Sequence, residues 1–519
     1  MHTRLSDRIP STSESFNLID ELLTRQLREG RSARPALVFE SHEISYRELA
    51  ARVSQARQWL ISMSVARGDR VGLILPDSPA YVYLLLAAIS LGAIAAPINP
   101  KLSPGDAQGM LEQVGARIAF YHEGAAAPAG PVIPVESTLE RQVQRFDPVE
   151  WNRIVPEATS PTDPLYLLFS SGTSGHTKAI IRKHVDNLHV NAAFGDDVLQ
   201  MGEFDRVLAV PKLTFGYSLV GSLMAALLYG GSSVLLPQTS TAKTILESIA
   251  RDKPTILLAQ PRMLGEMADM IGIDTDLTSV RHVVSAGDIL TEPVRERWQK
   301  KTGLLVIDGF GSTEAGHIFI SRRSSDGGPD CSGRALRGFE LKIIDGEGNE
   351  VPEGSPGRLC IRGASVSSGY WNDPERTRRQ FGGTWHFSDD IFIRHGALYY
   401  YSGRWDDMIK TGCGEWVAPR KLETVLLSDP AVRDCAVVGA HDSRNILCVK
   451  AYVVRADTNE IDADLSDRLK KRVQAEWPGL DHMRVHMLEL IPEIPRSTNG
   501  KIERQRLAAK SLTEYAYEC

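Results

Sequence analysis

Apolar runs of strand length alternate with helical patterns along the first 325 residues. Residues 46–63 carry apolar side chains at three- and four-residue intervals, which predicts an amphipathic helix. The short apolar run of residues 70–76 comes next and predicts a strand. Similar runs, each ending in Pro or Gly, recur at residues 206–211, 232–237, 255–261 and 282–287. This alternation predicts an α/β fold with a mostly parallel sheet covered by helices.

Residues 81–98 form the most apolar stretch of the chain. We interpret them as a helix buried against the sheet, because the stretch is short for a membrane span, contains Ser90 and Gly92, and runs into Pro97. The sequence therefore predicts no membrane span.

The pattern changes after about residue 325. Residues 341–363 place Gly- and Pro-rich turns between short strands, which predicts a hairpin-rich antiparallel region. Beyond residue 403 the chain has two strand-length runs, an amphipathic helical pattern at 463–477 and a last short strand. These elements predict a compact final segment of mixed α and β structure.

The composition is that of a folded globular protein. Of the 519 residues, 42% are hydrophobic and 24% are charged, and a chain of this length exceeds a single core. The net charge of -6, without a block of Lys and Arg, argues against nucleic acid as a partner. The six cysteines are scattered without a CxxC pair, and the polar N-terminus lacks the apolar core of a secretion signal. A reducing cytoplasm is therefore the expected location.

The strongest chemical signal is a loop between two apolar runs at residues 165–181. The loop consists of Ser170, Ser171, Gly172, Thr173, Ser174 and Gly175, and it is closed by Lys178. Glycines and small hydroxyl residues let N–H and O–H donors approach phosphate oxygens, and the lysine supplies positive charge. The spacing differs from that of a Walker loop. A flexible Ser/Gly linker is the alternative, but linkers do not usually sit between two buried runs.

Residues 308–319 hold a second candidate motif, in which Thr313 and Glu314 follow a glycine-rich turn. A carboxylate at this place suits Mg²⁺, and the hydroxyl suits a phosphate, although the same pattern fits an ordinary helix cap. Three further polar loops lie at 387–390, 403–423 and 495–504. Each of these, taken alone, is typical of a solvated hinge or a surface turn.

Taken in this order, the five motifs resemble those of the adenylate-forming superfamily, which contains acyl-CoA synthetases, adenylation domains of carrier-protein systems and luciferases. The likeness extends from about residue 15 to residue 510. Residues 212–222, 285–294, 308–322 and 369–377 are most similar to benzoate-CoA and other aryl-CoA ligases. The resemblance implies a large N-terminal domain of layered α/β subdomains plus a β-rich subdomain (1–404), and a small mobile α+β C-terminal domain (405–519).

The resemblance also implies ATP, Mg²⁺ and coenzyme A as reactants or cofactors, and it assigns roles to residues of this chain. The loop from Ser170 to Gly175 and Lys178 would hold the ATP phosphates, and Thr313 and Glu314 would serve phosphate and Mg²⁺. The adenosine would be bordered by Ser285, Ala286, Gly287, Asp308, Gly309 and Phe310, with Asp390 and Arg404 on the ribose. Asp406 would be the hinge, and Lys501 the mobile catalytic lysine.

The sequence departs from the family pattern at four places. Thr177 and Ala179 replace a usual Pro and Gly in the phosphate loop, and residues 388–390 read Ser-Asp-Asp instead of Thr-Gly-Asp. The stretch after Lys410 is one residue longer than usual, so Gly412 and Gly414 both stay candidates for the glycine at the coenzyme A tunnel.

An aryl acid is the expected substrate. By analogy with aryl-CoA ligases, its pocket would be formed by Phe215, Gly216, Tyr217, Gly309, His317 and Ile318. Benzoate ligases tend to carry Ala at the position of Gly216, so a substituted benzoate such as 2-aminobenzoate is at least as consistent as benzoate. The competing hypotheses are a stand-alone adenylation enzyme that loads a carrier protein, a luciferase-like oxygenase and a non-catalytic nucleotide sensor. A homodimer and a carrier-protein partner stay open.

Overall fold

The structure is a computed structural model, and it describes residues 4–123, 125–135, 137–171, 177–237, 240–273, 275–323, 326–328, 330–412, 415–442, 446–456, 462–496 and 502–515. The chain divides into two compact units. The larger unit comprises residues up to Leu341 with Cys360–Phe387 and Ala397–Tyr399, and the smaller comprises Lys342–Leu359, Ser388–Gly396 and the chain from Tyr400 onward. The expected domain boundary between residues 404 and 405 stays a prediction.

A large, mostly parallel sheet dominates the larger unit. In the described chain its nine strands follow the order Arg334–Ala335, Ile318–Arg322, Val306–Gly311, His282–Ser285, Ile256–Ala259, Arg206–Ala209, Ser232–Leu235, Pro35–Phe39 and His42–Ser45. The six neighbouring strands from Val306–Gly311 to Pro35–Phe39 are parallel. Leu257 and Leu258 point to opposite faces and pack in different core clusters, because both faces are covered.

A second sheet of the larger unit contains the strand that leads into the predicted phosphate loop. Its six described strands follow the order Val132–Val135, Ile118–His122, Arg70–Ile74, Ile94–Pro97, Pro164–Ser171 and Thr177–Lys183. The first five are parallel, and the last two form an antiparallel pair in which Ser170 faces Lys178. The predicted α/β fold class is therefore confirmed.

The antiparallel elements lie where the change of pattern predicts them. A five-stranded sheet of the described residues contains Phe339–Ile344, Gly357–Gly363, Phe381–Gly382, Trp385–His395 and Leu398–Arg404. In the smaller unit, Val432–His441 and Leu447–Arg455 form a long antiparallel pair, and Met487–Leu490 joins in parallel. A short pair is formed by Ile409–Lys410 and Trp416–Val417. Leu465, Leu469 and Val473 bury one stripe of the helix Asp462–Glu476 in the core of this unit.

The helices separate the strands of both sheets. The α-helices are Arg25–Arg28, Tyr46–Ser62, Pro79–Ser90, Pro104–Val114, Ser137–Val143, Asp186–Asn191, Gly216–Ser218, Ala225–Tyr229, Ala242–Asp252, Pro261–Met270, Glu292–Thr302, Pro374–Gln380, Pro419–Leu427, Asp462–Glu476 and Arg504–Tyr515. Wider π-helical turns occupy Asp20–Thr24, Ala192–Leu199 and Leu219–Met224, and 3₁₀ turns occupy Leu5–Arg8, Trp151–Arg153, Trp405–Asp407 and Asp481–Met483. The helix predicted at 46–63 begins after Ser45, which forms a capping box with Glu48.

The apolar stretch 81–98 is not one helix, so this part of the sequence interpretation is wrong. The helix Pro79–Ser90 ends before Gly92, which has a φ of +64°, and a buried strand follows at Ile94–Pro97. Both elements are apolar because both are buried, so hydrophobicity by itself does not mark the boundary. Throughout the described ranges, no helix is long and apolar enough to cross a membrane.

Four of the six cysteines lie in the described part of the chain. Cys331 and Cys360 belong to the larger unit and Cys435 and Cys448 to the smaller one, and all four are buried. Burial raises the pKa of the Cys435 and Cys448 thiols above the ordinary value. Cys435 and Cys448 therefore have little thiolate character, and all four buried cysteines act as small core residues.

Candidate active site

Several predicted site residues of the larger unit lie at the edge of its nine-stranded sheet that is formed by the carboxyl ends of the parallel strands. Neighbouring parallel strands have their carboxyl ends on the same side, and this side is where open α/β sheets bind ligands. Ser285 ends one of these strands, and Ala286 and Gly287 follow it, with Gly287 at a φ of +88°. Phe215 and Tyr217 follow the strand Arg206–Ala209. The fold thus brings the predicted adenine and aryl residues to one edge.

Aromatic rings surround His317 at this edge. The His317 ring lies 5.8 Å from the Tyr217 ring and 5.7 Å from the Phe194 ring, measured between centroids. Its Nε2 donates a hydrogen bond to the backbone carbonyl of Tyr217 (3.3 Å), and the Tyr217 hydroxyl donates to the carbonyl of Val284 (3.0 Å). Burial lowers the pKa of His317 to about 4. The imidazole is therefore neutral at physiological pH, and the cluster is uncharged and aromatic.

Glycines make room for these side chains. A Cβ atom on Gly221 would lie 2.5 Å from Nε2 of His317, and one on Gly309 would lie 2.5 Å from Cδ1 of Ile318. At Gly216 the nearest atom would be Cδ1 of Leu168, at 3.1 Å. A methyl group at Gly216 is therefore tight but tolerable, whereas methyl groups at the other two positions would displace a neighbour.

A buried polar cluster surrounds the Glu314 carboxylate in the turn that precedes His317. The Tyr370 hydroxyl lies 3.1 Å from Oε1 of Glu314 and also contacts Oε1 of Gln380. Lys178 donates to the same Gln380 oxygen (3.5 Å), and its Nζ lies 5.6 Å from the centre of the Tyr370 ring. A continuous chain of polar contacts thus joins Lys178 to Glu314.

Neighbouring positive charges keep the Glu314 carboxylate ionised although it is buried. Burial by itself would raise the pKa of Glu314, but the charges of His386 and Lys178 and a hydrogen bond from Tyr370 outweigh it. The pKa of Glu314 consequently lies below the ordinary value. An ionised carboxylate is the form that a Mg²⁺ ion requires.

The remaining predicted residues of the larger unit have mixed surroundings. The carboxylate of Asp308 pairs with Arg295 (3.1 Å), and burial raises the pKa of Asp308 to about 6. Phe310 packs edge to face against Phe319, with ring centroids 5.7 Å apart. The Ser285 hydroxyl is fully buried and has no hydrogen-bond partner among the described residues.

The predicted ribose residues lie in the smaller unit. Arg404 pairs with Asp389 (3.4 Å), which also lies 3.5 Å from Arg358, while the backbone N–H of Asp390 donates to the hydroxyl of Ser388 (3.1 Å). Burial would lower the pKa of Arg404, but the charges of Asp390 and Asp389 raise it above the ordinary value. Asp406 lies in the 3₁₀ turn Trp405–Asp407, and the Gly412 N–H donates to the carbonyl of Leu447 (2.8 Å).

Part of the predicted site lies outside the described residues. This holds for Gly172, Thr173, Ser174, Gly175, Gly414 and Lys501, and for the side chains of Ser171 and Asp406. Their assigned roles stay predictions, as do those of the described residues.

A buried carboxylate holds the segment that leads to Phe215. Oδ1 of Asp77 accepts the backbone N–H of Leu213 (2.9 Å), and the Tyr81 hydroxyl donates to the Leu213 carbonyl (3.2 Å). Burial raises the pKa of Asp77 to about 6, although the charge of Lys212 opposes the shift. Both backbone hydrogen-bonding groups of Leu213 are thus fixed, two residues before Phe215.

The Asp77 carboxyl should make stability depend on pH. Because the folded state holds this proton more tightly than the unfolded chain, its contribution is most favourable below about pH 4 and is lost as pH rises to about 6. The shift corresponds to about 3 kcal/mol of unfolding free energy. The free energy of unfolding, measured with urea, should therefore fall more between pH 5 and pH 7 for the wild type than for Asp77→Asn. Equal pH slopes for the two proteins would contradict the buried-carboxyl assignment.

Sequence reasoning missed Tyr370, Gln380, His386 and Arg182. Tyr370 stands inside the stretch 369–377 that resembles aryl-CoA ligases, but its neighbours gave it no chemical role. Arg182 directly follows the apolar residues Ala179, Ile180 and Ile181 of its strand, and a charged residue at the end of such a run is the signal that could have identified it.

Comparisons with known proteins identify the family of this chain. The pattern of the family described as AMP-binding enzyme matches residues 23–371, and that of the AMP-binding enzyme C-terminal domain matches residues 421–501. The chain therefore belongs to the AMP-binding enzyme family.

Two relatives of matching length are aryl-CoA ligases. The chain is 31% identical to the benzoate–CoA ligase of Thauera aromatica, with 95% of this chain and 96% of that protein covered. It is 30% identical to the anthranilate–CoA ligase of Pseudomonas aeruginosa over 89% and 90% of the two chains. The crystal structure of the anthranilate CoA ligase AuaEII with anthranoyl-AMP superimposes with a TM-score of 0.89 at 29% identity, covering 99% of this chain and 100% of that one.

Proposed function

We propose that this protein is an aryl-acid CoA ligase. It would activate benzoate or a substituted benzoate, such as 2-aminobenzoate, with ATP as an aryl-AMP and then transfer the acyl group to coenzyme A. The observation that carries the proposal is the uncharged aromatic cluster of Phe194, Tyr217 and His317. His317 of this cluster follows the ionised Glu314 by three residues. Aromatic walls suit a flat ring, and the neighbouring charges suit a nucleotide.

The first half-reaction requires little covalent assistance. A carboxylate oxygen of the acid attacks the α-phosphorus of ATP, the bond to the bridging oxygen breaks, and pyrophosphate leaves. The acid is already ionised at neutral pH, so no general base is required. The barrier lies in bringing two anions together, which the protein lowers by positioning and by neutralising charge.

Glu314 and Lys178 fit this task. Mg²⁺ bound to ATP typically takes one or two protein carboxylates and several phosphate oxygens, and when bound it would neutralise part of the phosphate charge. Glu314 would supply that carboxylate and Lys178 a positive charge beside it. Among the described residues there is no cluster of three or more His, Cys, Asp and Glu side chains that could hold a metal unaided. A single carboxylate completed by substrate phosphates is compatible with that finding.

In the second half-reaction the coenzyme A thiol attacks the acyl carbonyl, loses its proton, and AMP leaves. By resemblance, the C-terminal domain would turn about Asp406 between the two steps and withdraw Lys501, with Gly412 or Gly414 at the thioester site. Asp390 and Arg404 would hold the ribose hydroxyls. A cytoplasmic location belongs to the same proposal, since coenzyme A chemistry and scattered reduced cysteines suit a reducing compartment.

Pyrophosphate release across a panel of acids tests the function. We expect benzoate, 2-aminobenzoate and hydroxybenzoates to release pyrophosphate, and dodecanoate to give no more than the rate without acid. Thioester formation with free coenzyme A then separates a ligase from an enzyme that loads a carrier protein. Faster turnover of dodecanoate than of every benzoate would refute the aryl assignment.

A methyl group at Gly216 should discriminate between ring substituents. Gly216→Ala is expected to lower kcat/KM for 2-aminobenzoate about 5- to 150-fold more than for benzoate, because one methyl group in a tight pocket is worth about 1–3 kcal/mol. The added Cβ would also press on Leu168. The double variant Gly216→Ala/Leu168→Val relieves that contact and serves as the control. Equal losses on both substrates would place Gly216 away from the ring.

A further inference from the structure

An arginine is buried in a strand of the larger unit. Arg182 belongs to Thr177–Lys183, and its side chain is 1% exposed. Its Nη2 pairs with Oδ2 of Asp186 at 2.8 Å, and the Asp186 side chain is 2% exposed. Taking both charges out of water costs several kcal/mol per ion before their attraction offsets it. Such a pair requires further hydrogen bonds, and their partners indicate its role.

The guanidinium donates to three backbone carbonyls. Nη1 donates to the carbonyls of Thr313 (3.1 Å) and Glu314 (3.0 Å), and Nη2 donates to the carbonyl of Ser365 (2.6 Å). One planar group thus connects the strand to the turn that carries Glu314 and to the segment at Ser365. A lysine could not span the same partners, because its ammonium lacks the fixed fork of donors.

Neighbouring residues complete the attachment of the turn. The N–H of Ser367 donates to the Glu314 carbonyl (2.8 Å), which therefore accepts two hydrogen bonds, and the Ser365 hydroxyl donates to the Ala315 carbonyl (2.9 Å). Gly316 has a φ of +105°, and a Cβ atom there would lie 2.4 Å from Nη2 of Arg182. The turn and the arginine consequently exclude any side chain at position 316.

We propose that Arg182, anchored by Asp186, is a positioning residue that acts through Glu314. By fixing the backbone of Thr313 and Glu314, it would hold the Glu314 carboxylate in the place where Mg²⁺·ATP is bound. The inference rests on the proposed function for its catalytic consequence. It assigns Arg182 no contact with substrate.

A double-mutant cycle on acyl-adenylate formation tests whether Arg182 acts through Glu314. Arg182→Lys keeps the positive charge but loses the fork, and we expect an activity loss of about 100-fold, as for a misplacement of about 1 Å. When Glu314→Gln is already present, adding Arg182→Lys should cost less than about 3-fold, because the group being positioned has gone. If the activity loss of the double variant equals the product of the two single-variant losses, the residues act independently and the proposal is overturned.

A binding measurement makes the test independent of turnover. Calorimetry gives the dissociation constant of ATP with Mg²⁺ and with EDTA for each variant. Arg182→Lys and Glu314→Gln should reduce the Mg²⁺-dependent gain in affinity to the same degree and leave binding in EDTA unchanged. Unchanged Mg²⁺ dependence in Arg182→Lys would also overturn the proposal. If Arg182→Lys unfolds, Asp186→Asn, which releases the anchor, should show the same selective loss.

Arg281 provides a matched control in the same unit. It forms two hydrogen bonds with Asp205 (2.8 and 2.7 Å) and donates to the carbonyls of Leu199 and Gln200. It precedes the strand His282–Ser285, at the sheet edge opposite the candidate site. Arg281→Lys should therefore leave Mg²⁺-dependent ATP binding unchanged, and an effect equal to that of Arg182→Lys would indicate general destabilisation. Failure of the wild type to activate any acid would contradict the proposed function, while the binding measurement would still decide the role of Arg182.

Discussion

Glutamine in place of Glu314 is expected to slow acyl-adenylate formation about 100- to 1,000-fold, the loss seen when one preorganised electrostatic group is removed from a transition state. The substitution keeps the shape of the side chain and one hydrogen-bond acceptor for Tyr370. It removes the charge that His386 and Lys178 hold in the ionised form. Pyrophosphate release in a single turnover measures the step directly.

The same variant should retain the second step. Thioester formation from supplied aryl-AMP and coenzyme A involves no triphosphate, so Glu314→Gln should lower it less than about 3-fold. Asp252→Asn is the control, because Asp252 is also buried and bonded to Ser248 (2.8 Å) and Arg251 (2.9 Å) but belongs to the helix Ala242–Asp252. An adenylation rate above one tenth of the wild type would exclude an essential role for the Glu314 charge.

Lys501→Ala is expected to produce the second large effect and to separate the two half-reactions. The ammonium would stabilise charge as the carboxylate approaches the α-phosphorus, a contribution of about 3–4 kcal/mol by analogy with an oxyanion donor. Adenylate formation should therefore fall by about 100- to 1,000-fold. Thioester formation from supplied aryl-AMP should stay close to the wild-type rate, because the proposed mechanism would withdraw the lysine before that step.

Asp406→Pro provides the opposite result for comparison. Proline fixes φ near −65° and should stiffen the proposed hinge, so thioester formation should slow more than adenylate formation. If Lys501→Ala slows both steps equally, the lysine has a structural role and the turning of the C-terminal domain does not explain this chain.

Much of the fold could be predicted because the spacing of apolar residues along the chain indicates which faces of helices and strands are buried. Strands such as Ile256–Ala259 are apolar throughout, since helices cover both faces, and turn residues mark their ends. The boundary inside residues 81–98 could not be predicted in this way, because the helix and the strand that follows are equally apolar. The turn geometry at Gly92 separates them.

The candidate site also has a part that the sequence predicts and a part that it does not. Loop motifs point to Lys178 and Glu314, because small and charged residues between apolar runs have few structural reasons to occur there. The prediction of His317 came only from the resemblance to aryl-CoA ligases. Tyr370 and Gln380 lie far from Glu314 in the sequence, and their contacts with it depend on how the chain returns. The role of Arg182 could not be predicted from the sequence either. Its hydrogen-bond acceptors are mostly backbone carbonyls, and because every residue has a carbonyl, the sequence does not show which ones it contacts.

The burial of the cysteines bears on how turnover can be followed. Coenzyme A loses its thiol when the thioester forms, so a thiol-reactive dye reports the reaction only if the enzyme's own thiols stay silent. Cys331, Cys360, Cys435 and Cys448 are buried in the folded protein, and six cysteines are present in the chain. Native enzyme should therefore consume at most two equivalents of dye rapidly, and denatured enzyme six. The background signal from enzyme thiols in a dye-based assay would then be small and constant. An increase of this background with time would report unfolding of the enzyme.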